Sequence, residues 1–169
     1  MLFRSLRKIL KSSGLHNIIQ TCGQGYVFNA DENHCWIDVE DFEKIADKGR
    51  KYLEIKDYNA AIQLFQKAAV IYRADYLIED LYEDWTISER ERLRDRYLVV
   101  LTEMAEAYAQ TGRYRHAVDI SRKILALDSY RESTFFRLML YYYFLGEKAK
   151  SLEIRSEERR VGKECRSRW

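Results

Sequence analysis

The chain has 169 residues, 47% of them hydrophobic and 33% charged, with a formal net charge of +2 at pH 7; that suits one globular domain, or one domain plus a fragment. No apolar run approaches the roughly 20 residues of a membrane span, and Met1-Leu2-Phe3-Arg4 does not open a continuous apolar leader. Cys22, Cys35 and Cys165 are odd in number and lack CxxC spacing, so no disulfide framework is expected and the expected compartment is a reducing cytoplasm. Proline is absent and glycine scarce, so little interrupts helices.

In chain order, the first element is a short basic helix. Arg4, Arg7, Lys8 and Lys11 lie close to one broad face, with no acid among residues 1–20, while Leu6, Ile9 and Leu10 supply packing. Two short strands follow, Ile18–Thr21 and Tyr26–Asn29, joined across Gly23-Gln24-Gly25, which suits a tight turn. A helix entering the major groove needs cations along its flanks for phosphates. The candidate DNA-binding residues are therefore Arg4, Arg7, Lys8 and Lys11, with Thr21 and Tyr26 as hairpin contacts to the backbone; Arg4 or Arg7 is placed to reach a base edge. Each residue taken singly also fits a solvated face, and Tyr26 equally fits the hairpin's own packing. Because the body over residues 21–153 is mildly acidic, any DNA contact is expected at this end.

From Asp38 the apolar spacing is helical: Ile62, Phe65, Ala69 and Tyr72 share one face, as do Leu93, Tyr97, Leu101, Met104, Ala105 and Tyr108. Helices are predicted at about 38–55, 58–73, 86–110, 114–127, 131–145 and from 147 onward. Asp38 and Ser88 are the predicted N-caps, Ser88 with Glu91 three residues later in a capping-box pattern; Gly112 and Gly146 are the predicted stops. The pattern repeats. Lys56-Asp57-Tyr58-Asn59-Ala60-Ala61, Gly112-Arg113-Tyr114-Arg115-His116-Ala117 and Gly146-Glu147-Lys148-Ala149-Lys150-Ser151 share a form, the last two 34 residues apart. Superposing Ala61, Ala117 and Ser151 brings Gly49 and Tyr52, Ala105 and Tyr108, and Met139 and Tyr142 into register. Small residues belong where antiparallel helices approach closely, with large ones beside them.

A period of 34 with this spacing resembles the tetratricopeptide repeat. The first and second turns stand 56 apart, one repeat plus an insertion of 22, within which lies the acidic, aromatic stretch Ala74–Trp85. Its Leu77, Leu81 and Trp85 are expected to dock onto the helices; a separate partner-binding role is the alternative.

The order of helix pair, acidic Asp-Tyr-Leu stretch, Trp85, Arg90, Leu93, long helix, Gly-Arg-Tyr-x-x-Ala and Leu-Asp stop resembles the bacterial transcriptional activator domain. That domain occurs in antibiotic-regulatory-protein-type activators and related response regulators. The resemblance covers roughly residues 38–153. It implies a mainly α fold: a tetratricopeptide-like helical repeat array, preceded by a short helix plus β-hairpin that is the remnant of a winged helix. The wing phrase is Ile-Gln-Thr-Cys-Gly-Gln-Gly-Tyr-Val-Phe. Residues 1–37 are then the C-terminal part of a winged-helix DNA-binding domain, 38–153 the activator domain, and 154–169 a non-native or disordered tail that shows little apolar periodicity.

The implied function is that of a fragment of a bacterial DNA-binding transcriptional regulator, its repeats mediating self-association or contact with the transcription machinery. Expected partners are promoter DNA, bound only with the upstream part of the winged helix in place, and RNA polymerase or a second copy; no membrane partner is expected. Tyr52, Tyr108, Arg137 and Tyr141 are the candidate protein-binding residues of the concave face. The alternative is a tetratricopeptide-type interaction adaptor without DNA binding. No enzyme, cofactor or metal is expected: His16, His34 and His116 are isolated, and Cys22, His34 and Cys35 match no common metal spacing. Gly23-Gln24-Gly25 lies between strands rather than before a helix, so it is not a phosphate loop.

Overall fold

The computed structural model of the chain describes residues 19–23, 25–28, 36–78 and 83–167. Contacts divide the chain into two units, Met1–Asp38 and Val39–Trp169. The described part of the first is a hairpin of β1 (Ile19–Cys22) and β2 (Gly25–Phe28), antiparallel, with Ile19 opposite Phe28 and Thr21 opposite Tyr26. Gly23 turns it with φ +59°, a conformation that costs glycine nothing.

The second unit is built of helices: α1 (Asp38–Glu54), α2 (Tyr58–Ile71), α3 (Asp84–Gln110), α4 (Tyr114–Leu127), α5 (Glu132–Phe144) and α6 (Lys148–Ser167). They pair as α1–α2, α3–α4 and α5–α6. One turn is used three times. Asp57, Arg113 and Glu147 donate their backbone N–H to the carbonyls of Tyr52, Tyr108 and Tyr142, each at 2.9 Å. Lys56, Gly112 and Gly146 donate to Leu53, Ala109 and Tyr143 at 2.9–3.0 Å. This is the Schellman closure, in which a left-handed residue satisfies the last carbonyls of a helix; φ is +63° at Lys56, +74° at Gly112 and +77° at Gly146. Asp57 then caps α2, its carboxylate accepting from Ala60 N–H at 3.1 Å.

The register set on Ala61, Ala117 and Ser151 is the packing register. Ala61 and Ala117 are fully buried, and Ser151 Oγ donates to the Met139 carbonyl at 3.1 Å. Gly49 marks a close approach of α1 to α2, where a Cβ would stand 2.6 Å from Phe65 Cε1. An aromatic cluster fastens the first pair to the third helix: the rings of Tyr72 and Tyr97 stack at 4.1 Å, with Phe42 5.7 Å from Tyr72. Phe65, Leu101, Ile124 and Leu138 are the largest apolar side chains sealed inside.

Three expectations need correction. First, the residue at the N-cap of α3 is Glu83, not Ser88, and the helix begins at Asp84, two residues before the expected start: Thr86 closes the first turn, its Oγ1 and backbone N–H both donating to the Glu83 carbonyl, at 2.8 and 2.9 Å. Second, Leu77 and Trp85 of the insertion are exposed, and Leu81 lies outside the described residues. The insertion is held by Tyr76, packed against the core, and by Arg90, whose guanidinium donates to the carbonyls of Tyr76 (2.9 Å) and Leu77 (3.3 Å) and to Thr86 Oγ1 (2.9 Å). Third, the helical pattern does not stop at Glu153: α6 runs to Ser167, with Ile154 buried and Val161 packed against the core. The stretch expected as a tail is rich in Glu, Arg and Lys, good helix formers, and Ile154 and Val161, two turns apart, meet the core from one face.

Candidate functional site

On the hairpin, Thr21 and Tyr26 stand opposite one another and are exposed. Cross-strand partners share a face, so whatever meets one side chain meets the other. Arg4, Arg7, Lys8 and Lys11 lie outside the described residues. Cys22 is exposed.

In the repeat unit, charge is concentrated where the first helices of successive pairs face each other. Arg92 on α3 meets Glu43 on α1 at 2.5 Å and Glu89 on its own helix at 2.6 Å. Arg96 pairs with Asp47. Arg50 on α1 then meets Glu103 on α3 at 2.8 Å, and Glu106 on α3 meets Arg137 on α5 at 2.5 Å. The hydrogen bond from Arg92 holds the Glu89 carboxyl below its ordinary range, and Glu89 with Glu43 pushes the Arg92 guanidinium further up. These pairs are half-exposed, so each adds little stability in water. What they fix is the register of α1, α3 and α5.

The candidate contact residues sit in this layer, more buried than a binding surface requires. Tyr108 is only 5% exposed: its hydroxyl accepts from Gln66 Nε2 at 2.7 Å, and its ring lies under His116 at 5.0 Å and Arg113 at 5.1 Å. Tyr141 is buried too, and burial raises its phenol above the ordinary range. Tyr52 is half-buried against the core, while Arg137 is half-exposed and held by Glu106. These side chains are engaged in packing and pairing rather than presented as an open clamp.

The open apolar surface lies elsewhere, on α5 and the start of α6: Phe136, Leu140, Tyr143, Phe144 and Leu152 are all exposed. Phe144 stacks on Tyr114 at 5.0 Å and meets Tyr143 edge-on at 5.9 Å. Sequence reasoning passed over these residues because an apolar run at helical spacing reads as core. The signal was available in the repeat register, which sets Phe136 at the place of Ala46 and Thr102.

Among the described residues no group of His, Cys, Asp or Glu is arranged to hold a metal ion, and no helix is long and apolar enough to cross a membrane.

Residues 37–164 match the sequence profile of the bacterial transcriptional activator domain. The chain belongs to that family. The bacterial transcriptional activator domain thus spans all six helices and continues past Glu153 through most of α6. The regulatory protein DnrI of Streptomyces peucetius is 25% identical over 138 residues, covering 81% of this chain and 50% of that protein. Among solved structures, Mycobacterium tuberculosis EmbR, in complex with a low-affinity phosphopeptide, superposes with a TM-score of 0.79 at 17% identity, over 95% of this chain and 48% of EmbR. The TPR domain of Sgt2 from Aspergillus fumigatus superposes at 0.52, with 17% identity, over 72% of this chain and 66% of that domain. The C-terminal TPR-containing domain of a Plasmodium falciparum FK506-binding protein superposes at 0.53, with 16% identity, over 83% and 96%. At such identities the solved structures speak for the helical-repeat fold alone. The chain spans about half the length of DnrI and of EmbR.

Proposed function

We propose that the chain is part of a cytoplasmic, DNA-binding transcriptional regulator whose helical repeats mediate self-association or contact with the transcription machinery. The observation that carries this reading is the family match over the whole repeat unit, preceded in the same chain by a hairpin with exposed Thr21 and Tyr26. In this reading residues 1–37 are the C-terminal part of a winged helix. Arg4, Arg7, Lys8 and Lys11 neutralise phosphates along the recognition helix, and Thr21 and Tyr26 touch the backbone from the wing. The repeats supply protein contact and leave DNA contact to the basic end, in keeping with their paired, near-neutral charge layer.

A recognition helix needs the rest of its domain to pack on, so the 169-residue chain alone is expected to give no sequence-specific shift of a promoter fragment at moderate salt. A version extended upstream through the remainder of a winged helix is expected to give one, and Arg7→Ala in that version should weaken it and reduce its salt dependence. Tight, specific binding by the chain alone would overturn the assignment of residues 1–37. A repeat adaptor without DNA binding, the alternative use of the same helical-repeat fold, predicts no shift by either version.

A further inference from the structure

The insertion between the first two helix pairs holds five acids and no base over Ala74–Trp85, interspersed with bulky apolar residues. Such residues ordinarily dock back onto the fold that carries them, and here most do not. Tyr76 is packed against the core, while Leu77, Ile78, Trp85 and Ile87 are exposed by 39%, 55%, 64% and 41%.

One guanidinium gathers the backbone beneath these side chains. Arg90 Nη2 donates both to the Leu77 carbonyl at 3.3 Å and to Thr86 Oγ1 at 2.9 Å, and Arg90 Nε donates to the Tyr76 carbonyl at 2.9 Å. Two acceptors on one nitrogen stand no more than about 6 Å apart. Leu77 and Ile78 therefore lie along the first turn of α3, with Trp85 and Ile87 on either side of the fully buried Thr86. Leu77 also holds φ +46°, a left-handed conformation that glycine adopts freely and leucine does not. A leucine placed there and left in water contributes to neither the turn nor the core.

We propose that this surface docks a basic amphipathic helix of a partner protein, its apolar face over Leu77, Ile78 and Trp85 and its lysines and arginines toward Glu83 and Asp84. The proposal rests on the protein-contact reading of the repeats and gives that contact a location. Charge selects the partner. Glu43, Asp47 and Glu103 are taken by arginines of the repeats, whereas Glu83 and Asp84 stand exposed beside Trp85. The same carboxylates repel nucleic acid and anionic membranes. Tryptophan is among the residue types that most often anchor an interface, and an amphipathic helix lays its apolar face on such a surface. The four side chains offer roughly 400 Å², which is small for an interface, so binding should be weak, with a Kd of about tens of micromolar.

The probe is a dye-labelled peptide of leucine and lysine patterned as an amphipathic helix, its fluorescence anisotropy read against the 169-residue chain. It should bind saturably, and a leucine–glutamate peptide of the same pattern should not. Trp85→Ser should weaken binding about ten-fold or more without loss of helical circular dichroism, because the side chain is exposed. Glu83→Gln combined with Asp84→Asn should weaken it about two- to ten-fold. No binding, equal binding of the two peptides, or binding indifferent to Trp85→Ser would each overturn the proposal. So would loss of binding in the version extended upstream, since the surface would then be covered from within the chain. In the full-length regulator, Trp85→Ser should lower reporter activation and leave the promoter shift intact. Unchanged activation sinks the docking surface, while a promoter shift by the extended version leaves the proposed function standing.

Discussion

Gly49→Ala isolates what the close approach of α1 to α2 is worth. Glycine within α1 costs about 1 kcal/mol against alanine in helix propensity, so substitution in isolation would stabilise. The added methyl, however, would stand 2.6, 2.8 and 3.1 Å from Cε1, Cδ1 and Cζ of Phe65, well inside the 3.5–4.0 Å at which carbon atoms rest. Phe65 is fully buried, so its ring has nowhere to swing, and α1 and α2 must part. Overpacking of this kind costs about 1–3 kcal/mol. Subtracting the propensity gain of about 1 kcal/mol leaves a net loss between about 0 and 2 kcal/mol, centred near 1, which at about 2–4 °C per kcal/mol lowers the melting temperature by up to about 8 °C. Thermal melts followed by far-ultraviolet circular dichroism, or urea titrations, read this directly. In a Phe65→Leu background the obstruction is gone, and Gly49→Ala should turn neutral or stabilising, a double-mutant coupling of about 1–2 kcal/mol. A raised melting temperature for Gly49→Ala alone, or the same change in both backgrounds, would refute the steric argument.

Arg90→Ala should release the insertion by removing its donors to Tyr76, Leu77 and Thr86; a loss of about 1.5–3 kcal/mol should come with faster proteolytic cleavage between residues 74 and 83. Lys56→Gly should stabilise by up to about 1 kcal/mol, since Lys56 holds the left-handed conformation that glycine holds at the other two turns, and Gly112→Ala should destabilise by a similar amount; equal melting temperatures for both variants and the parent would count against it. Burial, followed by the hydrogen bond to Asp75, pushes the Tyr72 phenol well above its ordinary 10.0. The folded chain therefore keeps a proton that the unfolded chain sheds near pH 10, so this contribution is intact below that pH and declines as pH rises past it. Tyr72→Phe should flatten the alkaline fall in stability, and an unchanged slope would dismiss the assignment.

The array itself could be read from residues with strong local meaning. Gly112 and Gly146 ended helices where expected, and Ala61, Ala117 and Ser151 set the register, because a left-handed stop and a close helix contact each admit few residue types. Lys56 carries no such mark: its left-handed turn is imposed by Asp57, which caps the next helix, and by the pairing of α1 with α2. Ser88 with Glu91 had the form of a helix start, but Thr86 closes an earlier turn, and that was not separable from pattern alone. Leu77 and Trp85 were expected to dock and Tyr76 was not, since choosing among neighbouring apolar side chains is decided by the path of the backbone. Tyr108 and Tyr141 illustrate the same limit for the site. A tyrosine on the inner layer reads as a binding residue until the Gln66 hydrogen bond and the Arg113 and His116 stack account for it.

One further consequence follows from α3, which is 27 residues long, about 40 Å at 1.5 Å per residue. Along its length it holds α1 and α2, through Arg92, Arg96, Tyr97, Glu103 and the hydrogen bond of Tyr108 with Gln66, and it also pairs with α4 through the Tyr108–His116 stack and the turn at Gly112. A helix propagates cooperatively along its length. The first two pairs are therefore expected to open as one unit rather than as separable repeats, whereas α5 and α6, joined to the rest by shorter elements, form the natural second unit. Amide hydrogen exchange should then report two protection classes across three repeats, with the boundary near Asp128, and the less protected class would contain the face that carries Leu140.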